Sequence, residues 1–183
     1  MKKKILNVGC GNETYGTDFI DLYPSRKEVK KVFIGKEKFP YKDKSFDEVY
    51  SNCVLEHLPN LGNFIEECKR VLKKKGKIIL ITDNSACYKF HLHFFPNSKK
   101  AHHGGYEIEG RAGGGTGKSY EDKHYALFTP SHLKNLFEYY DLEINKIEYL
   151  FGYERIFIHK LLDFFASLID GDIVHPQRKI SGN

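Results

Sequence analysis

Two glycines and an acid carry the first chemical signal in this chain. The apolar run Ile5-Leu6-Asn7-Val8 breaks into Gly9-Cys10-Gly11-Asn12, and Asp21 follows ten positions after Gly11, inside Phe19-Ile20-Asp21-Leu22. A strand that gives way to glycines spaced one apart reads as a loop whose missing side chains let backbone N–H groups approach a ligand. An acid closing the next apolar run sits where the second strand of an open α/β sheet presents a carboxylate to ribose hydroxyls. Together they imply a nucleotide-type pocket; taken singly, the glycines read rather as a tight turn and Asp21 as a strand-end surface acid. A dinucleotide fingerprint needs a third glycine, and Thr14 stands at that position, so NAD fits poorly.

Other clusters carry weaker chemistry. Ala112-Gly113-Gly114-Gly115-Thr116-Gly117-Lys118-Ser119 follows a relaxed phosphate-loop spacing. A true phosphate loop needs a strand before it and a helix after it to aim N–H groups at phosphate, and Tyr120-Glu121-Asp122-Lys123-His124 supplies no apolar helical face. A glycine hinge in a lid is the expected reading, with a nucleotide hydrolase as the remote alternative. His91, His93, His102, His103 and His124 are loosely spaced and lack Cys or carboxylate partners in a recognisable arrangement, so solvated loop histidines are expected and no metal.

The elements that must position these residues follow from periodicity. Strands are expected at about 4–8, 18–22, 29–34, 46–51 and 77–82, the last an unbroken apolar run of the kind covered on both faces of a parallel sheet. The first crossover is too short for a full helix. Leu61, Phe64, Ile65, Cys68, Val71 and Leu72 make one apolar helix stripe, and Lys73-Lys74-Lys75-Gly76 reads as the helix exit with Gly76 in a left-handed cap. Thr129-Pro130 signals a second helix, 142–150 a strand, and 153–170 a C-terminal helix whose first residues read equally as the end of a last strand. Residues 84–125 form a stretch too long for a bare loop and are expected to be a lid or acceptor-site insertion. Nothing separates two domains, so residues 1–183 are expected to form one.

Composition narrows the class. At 183 residues with 40% hydrophobic and 29% charged residues, the chain reads as folded and soluble. The net charge of +5 is spread along it, which permits nucleic acid or an anionic substrate without requiring either. Cys10, Cys53, Cys68 and Cys87 form no close pair, the apolar run after Met1-Lys2-Lys3-Lys4 is too short for a secretory leader, and no stretch is long enough to span a membrane. A cytoplasmic protein is expected.

Leu6 to Asn12 resembles motif I, in the form L-N-x-G-C-G-N, of the class I S-adenosylmethionine-dependent methyltransferases. The likeness continues through Asp21, through Phe39-Pro40-Tyr41-Lys42-Asp43-Lys44-Ser45-Phe46-Asp47, similar to P-F-x-D-x-S-F-D, through Val54-Leu55-Glu56-His57, and through Arg70-Val71-Leu72 ahead of the fifth strand. It covers about residues 5–83 in order, and Phe128 to Ile144 resembles a later helix and strand. The resemblance implies a Rossmann-like, doubly wound, mostly parallel sheet with helices on both faces. It also implies S-adenosylmethionine as cofactor, with S-adenosylhomocysteine as product, bound by Asn7, Gly9, Cys10, Gly11, Asp21, Leu22 and Asn52. Asn7 replaces the usual motif acid, so its contact to the cofactor's amino group would run through an amide oxygen or water. The acid that precedes the adenine loop has no counterpart near Gly35 to Phe39.

Methyl transfer to a small-molecule, sugar-like or lipid-linked acceptor is therefore the leading expectation. An RNA acceptor is the alternative, and a non-catalytic binding relative of the fold the next. His57 and His124 are candidate bases because imidazole titrates near neutrality, and His57 reads equally as a capping or packing residue. A homodimer is compatible with the sequence.

Overall fold

The structure, a computed structural model, describes residues 3–83, 125–126, 128–150 and 177–182. Its centre is a seven-stranded sheet in the order β3-β2-β1-β4-β5-β7-β6. The strands are β1 (Ile5–Val8), β2 (Asp18–Asp21), β3 (Val29–Lys31), β4 (Phe46–Asn52), β5 (Leu72–Asp83), β6 (Ile144–Leu150) and β7 (Gln177–Gly182). Strands β1 to β5 run parallel, and β7 inserts antiparallel between β5 and β6. The order reverses between β1 and β4, which opens a crevice at the carboxyl ends of those two strands.

Side chains alternate along each strand, so the register sorts the sheet into two chemically different faces. Leu6, Val8, Ile20, Val49, Ile78 and Leu80 share one face and belong to a single buried cluster. Phe64, Ile65, Cys68 and Val71 of helix α1 (Leu61–Val71) complete that cluster, with Leu133 and Phe137 of helix α2 (Pro130–Tyr139). The opposite face carries Asn7, Phe19, Glu48, Tyr50 and Asn52. As the short spacing between β1 and β2 predicts, residues 9–17 form no helix and instead lie over this polar face. Tyr15 packs edge-on against Tyr50 at 4.7 Å and its hydroxyl donates to Glu48 at 2.5 Å. Lys3 and Lys77 neutralise the same buried carboxylate at 2.6 and 3.4 Å.

Helix α1 starts where Asn60 accepts a hydrogen bond from Asn63 N–H, and α2 where Thr129 accepts from His132 N–H with Pro130 in the first turn. The exit of α1 differs from expectation. The helix ends at Val71, Leu72 is already extended, and Lys73 to Gly76 belong to β5, with Gly76 outside the left-handed region. Two neighbours account for the early stop: the N–H groups of Lys44 and Ser45 donate to the Arg70 and Val71 carbonyls at 2.9 and 2.8 Å. Gly76 is required for space rather than for φ, because a Cβ there would lie 2.7 Å from Leu72 Cδ2 and 3.0 Å from the Lys73 carbonyl oxygen. Strand β7 is an addition that its composition hides, since Gln177-Arg178-Lys179-Ile180-Ser181-Gly182 shows no apolar alternation. The expected helix over 153–170 and the insertion over 84–124 fall outside the described residues, as does the glycine-rich run 112–119. Among the described residues no helix is long and apolar enough to cross a membrane.

Arg70 locks the approach to β4 onto α1. Its guanidinium donates to both oxygens of Glu67, to Asp43 at 2.7 Å, and to the carbonyls of Tyr41 and Phe39, while Phe39 N–H donates to Glu67 at 2.7 Å. Burial pushes the Glu67 carboxyl up, but the Arg70 and Phe39 hydrogen bonds and the Arg70 charge outweigh it and hold the group below its ordinary value. A depressed acid stabilises the fold above its unfolded pKa and loses that contribution as pH falls through the folded one. The urea midpoint is therefore expected to drop as pH falls below about 4.3, the ordinary glutamate value. Glu67→Gln should flatten part of that acid limb; an unchanged limb in the variant would assign it entirely to other carboxylates.

Candidate cofactor site

The site forms where β1, β2 and β4 end. Gly9 and Gly11 both adopt left-handed backbone, with φ of 70° and 49°. The turn they create lets Gly9 and Cys10 N–H groups donate to the Ile20 carbonyl at 2.9 and 3.3 Å, tying the loop to the end of β2. Gly11 N–H donates to Asp21 Oδ2 at 2.8 Å, and Tyr23 N–H donates to Asp21 Oδ1 at the same distance. All three loop N–H groups are thus spent within the protein. The glycines serve close approach: a Cβ on Gly9 would reach within 2.3 Å of Val54 Cγ2, whereas one on Gly11 would meet nothing within 4 Å. Gly9 is filled from behind by the turn after β4, and Gly11 faces open space.

Asp21 stands at the rim with both oxygens oriented by backbone donors, and each oxygen keeps a lone pair for a hydroxyl. Leu22 follows it, half-buried. The Cys10 side chain is buried, and burial raises its thiol. Asn7 is fully buried; its Nδ2 donates to Glu13 Oε2 at 3.2 Å and to the Tyr15 carbonyl at 2.9 Å, while its Oδ1 has no hydrogen-bond partner. Asn52, the last residue of β4, donates from Nδ2 to Glu13 Oε1 at 2.7 Å. Burial raises the nearby Tyr50 phenol to about 12, and the Glu13 charge adds to the shift. Cys53 then turns through φ 52°, a conformation that non-glycine residues adopt at a cost and that clusters at functional sites.

His57 closes a single 3₁₀ turn, Leu55–His57, its N–H donating to the Val54 carbonyl at 3.0 Å. Beside it Glu56 is buried, accepts from Thr82 Oγ1 of β5 at 3.0 Å through its carboxylate, and accepts from Tyr125 N–H at 2.7 Å through its carbonyl. His124 lies outside the described residues, as do His91, His93, His102 and His103. Of the residues singled out from the sequence, Gly11 is joined to Asp21, and Asn7 to Asn52 through Glu13, which sequence reasoning did not single out. The available signal was an acid four residues beyond Gly9 in a chain whose strand lacks one.

Residues 6–80 match the sequence model of a methyltransferase domain. Over its full length the chain superimposes on an S-adenosylmethionine-dependent methyltransferase of Thermotoga maritima with a TM-score of 0.62 at 16% identity, covering 82% of that chain. The chain has the fold of these S-adenosylmethionine-dependent methyltransferases. A methyltransferase of Mesorhizobium loti gives a TM-score of 0.59 at 14% identity, covering 98% of this chain and 90% of that one. In sequence, 90 residues are 53% identical to an uncharacterised Methanocaldococcus jannaschii protein, over 43% of this chain and 44% of that one. The chain spans less than half the length of the curated relatives it matches. The unpartnered Asn7 Oδ1 and the hydroxyl-ready Asp21 fit a ribosyl cofactor with a polar tail.

Proposed function

We propose that this protein transfers a methyl group from S-adenosylmethionine to a small-molecule, sugar-like or lipid-linked acceptor. The observation that carries the cofactor half is the Gly11–Asp21 hydrogen bond at the mouth of an open crevice, in the order and place where the fold binds a nucleoside. The bound sulfonium supplies an already activated methyl. The protein is left to fix donor and acceptor in line and to exclude water, and orientation alone accounts for about 7 to 11 kcal/mol of barrier. Asp21 holds the ribose, the Gly9–Cys10–Gly11 turn bounds the space, and His57 or His124 takes a proton where the acceptor must lose one. An RNA acceptor is the second reading, favoured by the +5 charge.

S-adenosylhomocysteine is expected to raise the melting temperature of the full chain, and no shift at millimolar ligand would sink the proposal. Labelled methyl transfer to extracted small molecules and lipids, against transfer to RNA, then separates the two acceptor classes. Steep weakening of acceptor binding with added salt would select RNA.

A further inference from the structure

The carboxylates placed over the polar face of the sheet are not treated alike. Glu48 is buried against two lysines, and on the helical side Glu67 is clasped by Arg70. Glu13 is held by neutral amides: its side-chain partners are Asn7 Nδ2 and Asn52 Nδ2, and among the described residues it forms no ion pair. Its backbone is fixed as firmly as its side chain, because Glu13 N–H donates to the Cys10 carbonyl at 2.8 Å and the Arg26 guanidinium donates to the Glu13 carbonyl at 2.6 Å. The result is a half-buried, oriented carboxylate with unused lone pairs and, among the described residues, no ion pair. It spans the seam between β1 and β4, two residues beyond the open space at Gly11.

The amide at position 7 and the acid at position 13 belong together. A carboxylate in place of Asn7 would stand against Glu13 at hydrogen-bond distance, where two negative charges repel, so only one of the two positions can carry the charge. We infer that Glu13 is the cofactor's ammonium-binding residue, the negative charge having moved from the strand to the loop. The cofactor's methionine portion ends in an ammonium, and among the described residues the acids of β1 and β4, Asp47 and Glu48, are both paired with lysines. This inference rests on the cofactor placement proposed above.

Calorimetric titration of the full chain with two ligands tests it. S-adenosylhomocysteine carries the ammonium, and 5′-methylthioadenosine has the same nucleoside and sulfur without the amino-acid portion. Glu13→Gln is expected to weaken S-adenosylhomocysteine at least tenfold and to leave methylthioadenosine within about twofold of wild type. Unchanged S-adenosylhomocysteine affinity would overturn the inference. Equal weakening of both ligands would also overturn it, since it would make Glu13 a latch for the loop. If methylthioadenosine binds the wild type and S-adenosylhomocysteine gains nothing over it, the ammonium site is refuted while the nucleoside site stands. If neither ligand binds, the cofactor placement fails and takes this inference with it.

Discussion

Asp21→Ala is expected to remove most of the thermal stabilisation that S-adenosylhomocysteine should give to the wild-type protein. A carboxylate accepting hydroxyl hydrogen bonds contributes about 1.5 to 3 kcal/mol for each one, so losing two at the lower value lowers affinity about a hundredfold. At a ligand concentration near a hundred times the wild-type Kd, binding adds about 2.7 kcal/mol to stability, and after a hundredfold loss the same ligand adds about 0.4 kcal/mol. For a chain of this size the shift falls from about 5 to 10 °C to about 1 °C. The substitution also removes the acceptor for the Gly11 and Tyr23 N–H groups, but both hydrogen bonds are exposed and water can replace the carboxylate, so the unliganded melting temperature changes little. A ligand shift in the variant equal to that of wild type would place the ribose elsewhere.

The parts of the fold written in apolar periodicity were legible, and the parts written in polar contacts were not. Strands β1, β2, β4 and helix α1 announce themselves because one side of each is buried in the same cluster. The run 39–47 and Arg70 were readable as a pattern, yet their purpose emerges only in three dimensions, where Arg70 grips Asp43, Glu67 and two carbonyls at once. The end of α1 was misplaced because Lys73-Lys74-Lys75-Gly76 carries every local sign of a helix terminus. Long-range donors from Lys44 and Ser45 take the last carbonyls sooner. Strand β7 escaped notice because it is held by backbone pairing on both sides, which needs no side-chain pattern. Gly9, Gly11 and Asp21 stood out by spacing, and the structure joins Gly11 to Asp21 by a hydrogen bond, whereas the contacts of Glu13 come from two strands whose adjacency the sequence does not display.

Gly9→Ala is expected to cost the fold about 2 to 5 kcal/mol, and the physical cause can be separated from the functional one. Two costs combine. An L-residue at φ 70° pays about 1 to 2 kcal/mol in the left-handed region. A methyl 2.3 Å from Val54 Cγ2 and 3.2 Å from Cγ1 forces a buried valine out of place, at about 1 to 3 kcal/mol for overpacking. Val54→Ala removes the two closest atoms and leaves its Cβ at 3.3 Å, so in that background Gly9→Ala should cost the backbone part with little steric addition. Urea unfolding of the wild type, both single variants and the double variant measures the coupling, expected at about 1 to 3 kcal/mol in the relieving direction. Equal cost in both backgrounds would show that contact with Val54 is not what demands glycine. The same cycle read by S-adenosylhomocysteine binding bears on the site, because Val54 begins the turn to His57 and Gly9 directly precedes the turn from Cys10 to Glu13. A double variant that regains stability without regaining affinity would show that this contact sets the width of the crevice as well as closing its back.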